Sequence, residues 1–162
     1  MAEPTRTTPW RHAWRLPWRL PPVWFLPFNA LLVLLDRLCP IVQLLDQPVS
    51  YVGWLPILAG TSICLIAAGQ FRAHRTTIRP FCANSALITT GLFRFSRNPI
   101  YLGMVLSMLG VAINAGSFSA LLVPPLFAIA LQLGFIRPEE RALQQYFGPI
   151  YDRYCQQVHR WL

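Results

Sequence analysis

The chain has 162 residues, 54% of them hydrophobic, and fourteen basic residues against six acids give a formal charge of +8. All fourteen are arginine, and charged residues make up only 12%, about half the share of an ordinary soluble domain. With a mean hydropathy of +0.41, this argues against a disordered basic tail or a soluble nucleic-acid binder, both of which are charge-rich. It points to a membrane protein whose few charges lie outside the lipid.

The first 19 residues read as a basic interfacial segment. Trp10, Trp14 and Trp18 repeat at spacing four, and Arg11, Arg15 and Arg19 do so one step on. That pattern suits rings at the headgroup level and arginines on phosphates. Pro21, Pro22 and Pro27 interrupt the following apolar stretch, and no small-residue cleavage site follows, so a signal peptide is not expected.

Three charge-free windows follow: 16 residues from Leu20 to Leu35, 25 from Gln47 to Phe71 and 39 from Asn98 to Ile136. A membrane span needs about 20 apolar residues. The first window predicts a span near 20–38, stopped by Pro40. The second predicts one near 51–71. The third has room for two, near 99–113 and 118–136, with Asn114-Ala115-Gly116-Ser117 as the turn between them. Pro124-Pro125 should kink the last span, because two backbone donors are lost there.

Between the second and third spans lies 72–97, in which five arginines alternate with Ile78, Phe81, Leu87, Ile88, Phe93 and Phe95. It reads equally as a loop resting on headgroups and as a folded wall for an anionic or aromatic ligand. After the last span, Arg137-Pro138-Glu139-Glu140 has the chemistry of a helix start. Leu143, Tyr146, Phe147, Ile150, Tyr151, Tyr154 and Val158 then recur at spacings of three and four. They predict an amphipathic helix over 137–160, interrupted near Gly148-Pro149.

The arginines set the orientation. Four precede span one, five lie between spans two and three, and four follow span four; only Arg37 falls on the other side. By the positive-inside rule both termini and the 72–97 segment are cytoplasmic. The expectation is an all-α polytopic membrane protein of about four transmembrane helices. It has a cytoplasmic inter-span loop and an amphipathic C-terminal helix, and 20–162 forms one domain. Cys39, Cys64, Cys82 and Cys155 and the three histidines are scattered, so no metal is expected.

Two stretches go beyond pattern. LITTGLFRFSRNPIYLGMVLSMLG followed by RPEERALQQYFGPIYDRYCQQVHRWL resembles the isoprenylcysteine carboxyl methyltransferase family and the related phospholipid methyltransferases, most closely their small bacterial branch. The resemblance covers about residues 69–162. It implies a multi-pass enzyme of the membrane (in bacteria the inner membrane) with S-adenosylmethionine as methyl donor at the cytoplasmic end of the bundle. Its expected partners are membrane lipids and a lipophilic or lipidated acceptor, with no nucleic acid. Carried over position by position, the donor would meet Ser85, Ala86, Leu87, Ile88, Phe93, Asn98, Pro99, Ile100, Tyr101 and Glu139. Catalytic roles would fall to Arg97, Tyr101 and Glu140, and substrate contacts to Arg137 and Tyr154.

The residue types suit that task. Methyl transfer from a sulfonium is largely positioning. A sulfur cation favours aromatic faces such as Phe93 and Tyr101. An ammonium and ribose hydroxyls want carboxylates such as Glu139 or Glu140. Pro99 would open a helix whose N-terminus points toward the site. One departure concerns the acceptor. Isoprenylcysteine enzymes place an arginine for the substrate carboxylate four residues before the donor-binding glutamate, and here that position is Phe135. Arg137 is two residues on, which turns a helical side chain by about 200°. The acceptor therefore stays open among an isoprenylcysteine-like carboxylate, a lipid amine and a thiol. A small four-span transporter and a non-catalytic membrane scaffold are the alternatives. Against transport, Asp36 is the acid nearest an apolar segment, and it sits at the span's end beside Arg37.

Overall fold

The structure, a computed structural model, describes residues 21–73 and 87–162. The interfacial reading of 1–19 and the expected donor contacts of Ser85 and Ala86 lie outside the described residues. Those residues form an all-helical arrangement: α1 (Pro21–Leu38), α2 (Trp54–Ala73), α3 (Pro99–Ala115), α4 (Phe118–Leu121), α5 (Val123–Leu131), α6 (Arg137–Phe147) and α7 (Pro149–Gln157). Val49–Ala73 and Phe118–Phe147 are long and apolar enough to cross a membrane, and α3 is a shorter apolar helix of 17 residues.

The largest helix contact is α2 against α3. Small residues allow it: Gly60 of α2 faces Gly103 and Ser107 of α3, and Gly53 faces Gly110. The core then runs across α3, with Met104, Met108 and Ala112 buried against Ala120, Val123, Phe127 and Leu131. Helix α1 closes this face through aromatic contacts. Phe28 lies 5.0 Å from Phe127 and Trp24 5.7 Å edge-on to Phe135, measured between ring centroids.

The hairpin between α3 and α4 follows its local chemistry. Gly116 takes the left-handed conformation (φ 80°) at the end of α3. The Ser117 hydroxyl then accepts from the Ala120 N–H at 3.3 Å and caps the next helix. The segment after α1 covers this turn: the Leu44 N–H donates to the Gly116 carbonyl at 2.8 Å, and the Phe118 N–H to the Val42 carbonyl at 2.9 Å.

The expected kink at Pro124-Pro125 takes a different form. The helix breaks two residues before Pro124, at Leu122, and both prolines sit in the first turn of α5. There their missing N–H groups are unpaired in any helix, so they cost nothing. A second irregularity replaces the helix start expected at Arg137. Residues Gln132–Ile136 form a π-helical turn, and the Arg137 N–H reaches back to the Gln132 carbonyl. Pro138, one position on, cannot donate to the carbonyl four residues back, and the widened turn absorbs that loss. Glu139 and Glu140 therefore sit within a continuing helix, not at a free positive end. The last helix also stops short of 160: α7 ends at Gln157, and Val158 is extended (φ −128°, ψ 129°).

Candidate active site

The two motif segments meet at one end of the bundle. The start of α3, the end of α2, the turn Gly91–Arg94, helices α6 and α7 and residues 158–161 all converge there. Trp24, near the start of α1, packs on Phe135 at the same end. Of the described arginines, Arg94, Arg97 and Arg160 lie at this end, on the turn, the linker and the C-terminal segment, while Arg37 lies in the last turn of α1.

Pro99 occupies the first turn of α3, and Asn98 precedes it without capping it. The Asn98 side chain instead donates to the Arg160 carbonyl at 3.1 Å. The first N–H groups of α3 are thus left uncapped by that side chain, at the positive end of the helix dipole. One turn in, the Tyr101 hydroxyl donates to Glu139 Oε2 at 2.9 Å. Tyr101 is buried and Glu139 partly so. Glu139 stands three residues past the apolar run that ends at Ile136. Burial raises its carboxyl above the usual carboxylate range and Glu140 adds to this, while the Tyr101 hydrogen bond opposes it.

Glu140 is engaged differently. Arg160 grips it as a fork, with Nε at 3.0 Å from both oxygens and Nη2 at 2.7 Å from Oε2. Arg97 Nη2 approaches the other side at 3.4 Å. A carboxylate between two guanidiniums is fixed in place. Arg97 also contacts Cys155 Sγ through Nη1. Its backbone N–H donates to the His159 carbonyl at 3.0 Å.

Of the other expected residues, Ile88 and Phe93 are buried together with Ala67, and Phe71 lies edge-on to Phe93 at 5.3 Å. Leu87 packs on the Tyr151–Tyr154 cluster, and Ile100 is partly buried beside Phe93. The Tyr154 hydroxyl donates to the Phe93 carbonyl at 2.7 Å and so fastens α7 over the Gly91–Arg94 turn. Burial pushes that hydroxyl up to about 12, with Arg97 opposing. Tyr154 is thus tied to the backbone. Arg137 is exposed and pairs with no acid among the described residues. Phe135 is 5% exposed and meets Trp24, so an aromatic contact occupies the position of the carboxylate-binding arginine.

Three residues at this end were not singled out from the sequence. Arg160 is one. Trp161, whose Nε1 donates to Gln132 Oε1 at 3.0 Å, is another. The third is Gln70, packed so closely under Gly91 that a β-carbon there would overlap its amide. Gln70 Oε1 and Arg97 Nε are buried with no hydrogen-bond partner. The available signal for Gln70 was a polar side chain near the end of a 25-residue charge-free window. Among the described residues, no group of histidines, cysteines and acids could hold a metal ion.

The family described as phospholipid methyltransferase matches residues 49–150. Two relatives are the probable protein-S-isoprenylcysteine O-methyltransferases of Oryza sativa subsp. indica and of Oryza sativa subsp. japonica. Each is 32% identical over 124 residues, covering 70% of this chain. The chain spans 61% of the length of these relatives. No solved structure matches it significantly.

Proposed function

We propose, on the premise that the chain belongs to the phospholipid methyltransferase family, that it is an integral membrane enzyme moving a methyl group from S-adenosylmethionine to a lipophilic acceptor. The observation that carries this reading is the Tyr101–Glu139 pair at 2.9 Å, set at the start of α3 beside an acid locked between two arginines. The groups present fit the donor. Its ammonium and ribose hydroxyls want acceptors, which Glu139 and the unpartnered Gln70 Oε1 supply. Its carboxylate wants donors, which the unpartnered Arg97 Nε and the uncapped start of α3 supply. The rings of Phe93 and Tyr101 suit a sulfur cation. Ser85, Ala86, Leu87, Ile88, Asn98, Pro99 and Ile100 complete the proposed donor contacts.

When bound, S-adenosylmethionine supplies an electrophilic methyl group on a sulfonium. The chain's own task is orientation and exclusion of water. Tyr101, with its proton resting on Glu139, is the group best placed to hold or pass a proton. Tyr154 and Glu140 are each committed to a structural partner. Phe135 in place of a carboxylate-binding arginine favours a lipid amine or a thiol as acceptor over an isoprenylcysteine-like carboxylate. The proposed enzyme has four spans, with both termini and the site cytoplasmic; the thirteen-to-one distribution of arginines along the sequence supports this reading. Asp36, beside Arg37 in the last turn of α1, is badly placed to couple transport.

The test is calorimetry with S-adenosylmethionine on the purified protein in detergent, followed by labelled-donor transfer to a membrane lipid extract. Binding heat and a labelled lipid are expected; no heat would remove the reading. Its pH dependence has a defined sign. The raised carboxyl of Glu139 is neutral at low pH and cannot pair with the donor's cation. Affinity should therefore rise with pH as Glu139 ionises, then level off. In Glu139→Gln this dependence should be flat.

A further inference from the structure

Residues 158–161 do something that neither the motifs nor the family match assigns to them. After α7 the chain runs back across the linker that precedes α3. It is held there at five points, over sequence separations of 20 to 64 residues. The Arg97 N–H donates to the His159 carbonyl at 3.0 Å. The Arg160 carbonyl accepts from Asn98 Nδ2 at 3.1 Å and from Ser96 Oγ at 3.4 Å. The Arg160 guanidinium forks onto Glu140. Trp161 Nε1 reaches Gln132 in the π-helical turn at 3.0 Å. One face of this strap thus binds the linker carrying Arg97 and Asn98, and its side chains bind the helix carrying both acids.

We propose that Arg160 is a positioning residue: it locks the linker 96–98 onto α6 so that Tyr101 and Glu139 meet in the geometry that binds the donor. Without the strap, α6 and the start of α3 are joined at this point by the Tyr101–Glu139 bond and the longer Arg97–Glu140 contact of 3.4 Å. The fork adds two features that those contacts lack. It fixes the rotation of Glu140 about its own side chain, because two parallel bonds allow a single orientation. It also neutralises Glu140, which neighbours Glu139 in sequence. The functional consequence rests on the donor-binding reading above; the mechanical one does not.

The experiment has two readouts. The first is donor affinity by calorimetry as a function of pH, on wild type, Arg160→Lys, Arg160→Gln and the double variant Arg160→Gln/Glu140→Gln. Arg160→Gln should weaken binding about tenfold, with Arg160→Lys in between, since a lysine restores charge but not the fork. The pH profile of Arg160→Gln should also move upward. Glu140, less neutralised, then disfavours ionisation of Glu139, and the double variant should bring the profile back down. The charged and titratable groups facing this pair are Tyr101 from α3, Arg97 from the linker, Tyr151 and Cys155 from α7, and Arg160 itself. Wild-type affinity and an unmoved profile in Arg160→Gln would overturn the proposal.

The second readout needs no donor: amide hydrogen exchange in the peptide containing Arg97. Exchange there should quicken in Arg160→Gln as the bond to His159 opens. If the wild type binds no donor, the methyltransfer reading falls, and exchange alone decides the strap; unchanged exchange overturns it. If Arg160→Gln does not fold, Arg160→Lys carries both measurements.

Discussion

Replacing Glu139 with glutamine is expected to weaken S-adenosylmethionine binding by about thirtyfold or more while leaving the fold intact. Glutamine keeps an oxygen where Glu139 Oε2 accepts from the Tyr101 hydroxyl at 2.9 Å, so the tie between α3 and α6 survives. What disappears is the negative charge proposed to face the donor's cation. Truncating one partner of a buried charge pair costs about 2–5 kcal/mol, and each ~1.4 kcal/mol is tenfold in affinity. Tyr101→Phe gives the complementary result. It leaves the charge and deletes the hydroxyl, at a cost of about 1 kcal/mol, so affinity falls only severalfold. Turnover should fall further than affinity if the hydroxyl passes a proton. Calorimetry and thermal unfolding on the same detergent-solubilised samples separate the two effects. Wild-type affinity in Glu139→Gln would take the donor away from this carboxylate. A matching drop in unfolding temperature would make the loss structural.

That contrast shows which parts of the site could be read in the sequence. The hairpin turn was legible because Asn114-Ala115-Gly116-Ser117 carries its own instructions: one residue for the left-handed position and one hydroxyl for the next cap. The motif segments were legible by resemblance, and Tyr101, Glu139, Arg97 and Phe93 do come together at one end. The roles inside the acid pair were not legible. Two adjacent glutamates after a proline read as a helix start, yet the helix enters from the π-helical turn Gln132–Ile136. No local rule marks such a turn, because it settles a conflict between Pro138 and the preceding helix. The strap was invisible for a different reason. Its partners lie up to 64 residues away, and a periodic pattern reports only on neighbours a turn apart. The spacing that predicted a helix to 160 describes the face of α7 well and says nothing about where the backbone leaves it.

Gly60→Leu is expected to have the largest effect on the fold itself, lowering stability by at least about 3 kcal/mol and abolishing recovery of folded protein. A β-carbon at Gly60 would come within 2.5 Å of the Ser107 hydroxyl, and one at Gly103 within 2.6 Å of the Gly60 carbonyl. Much of the obstruction is backbone, which no rotamer change relieves. Lipid gives packed helices no hydrophobic drive toward each other, so close approach through small residues is what joins α2 to α3. A seven-residue step repeats the device on both sides of the seam, from Gly53 to Gly60 and from Gly103 to Gly110. The same helix supplies the control. Gly69 has open space where its β-carbon would go, so Gly69→Ala should hold or raise stability, by up to ~1 kcal/mol from helix propensity. Unfolding temperatures in one detergent compare them directly. If Gly60→Leu unfolds at the temperature of Gly69→Ala, the seam is not what holds α3 in place. Because α3 carries Tyr101 at its first turn, an intact seam is also a condition for the site. A milder Gly60→Ala that still folds should lose donor affinity in proportion to how far α3 has been pushed from α2.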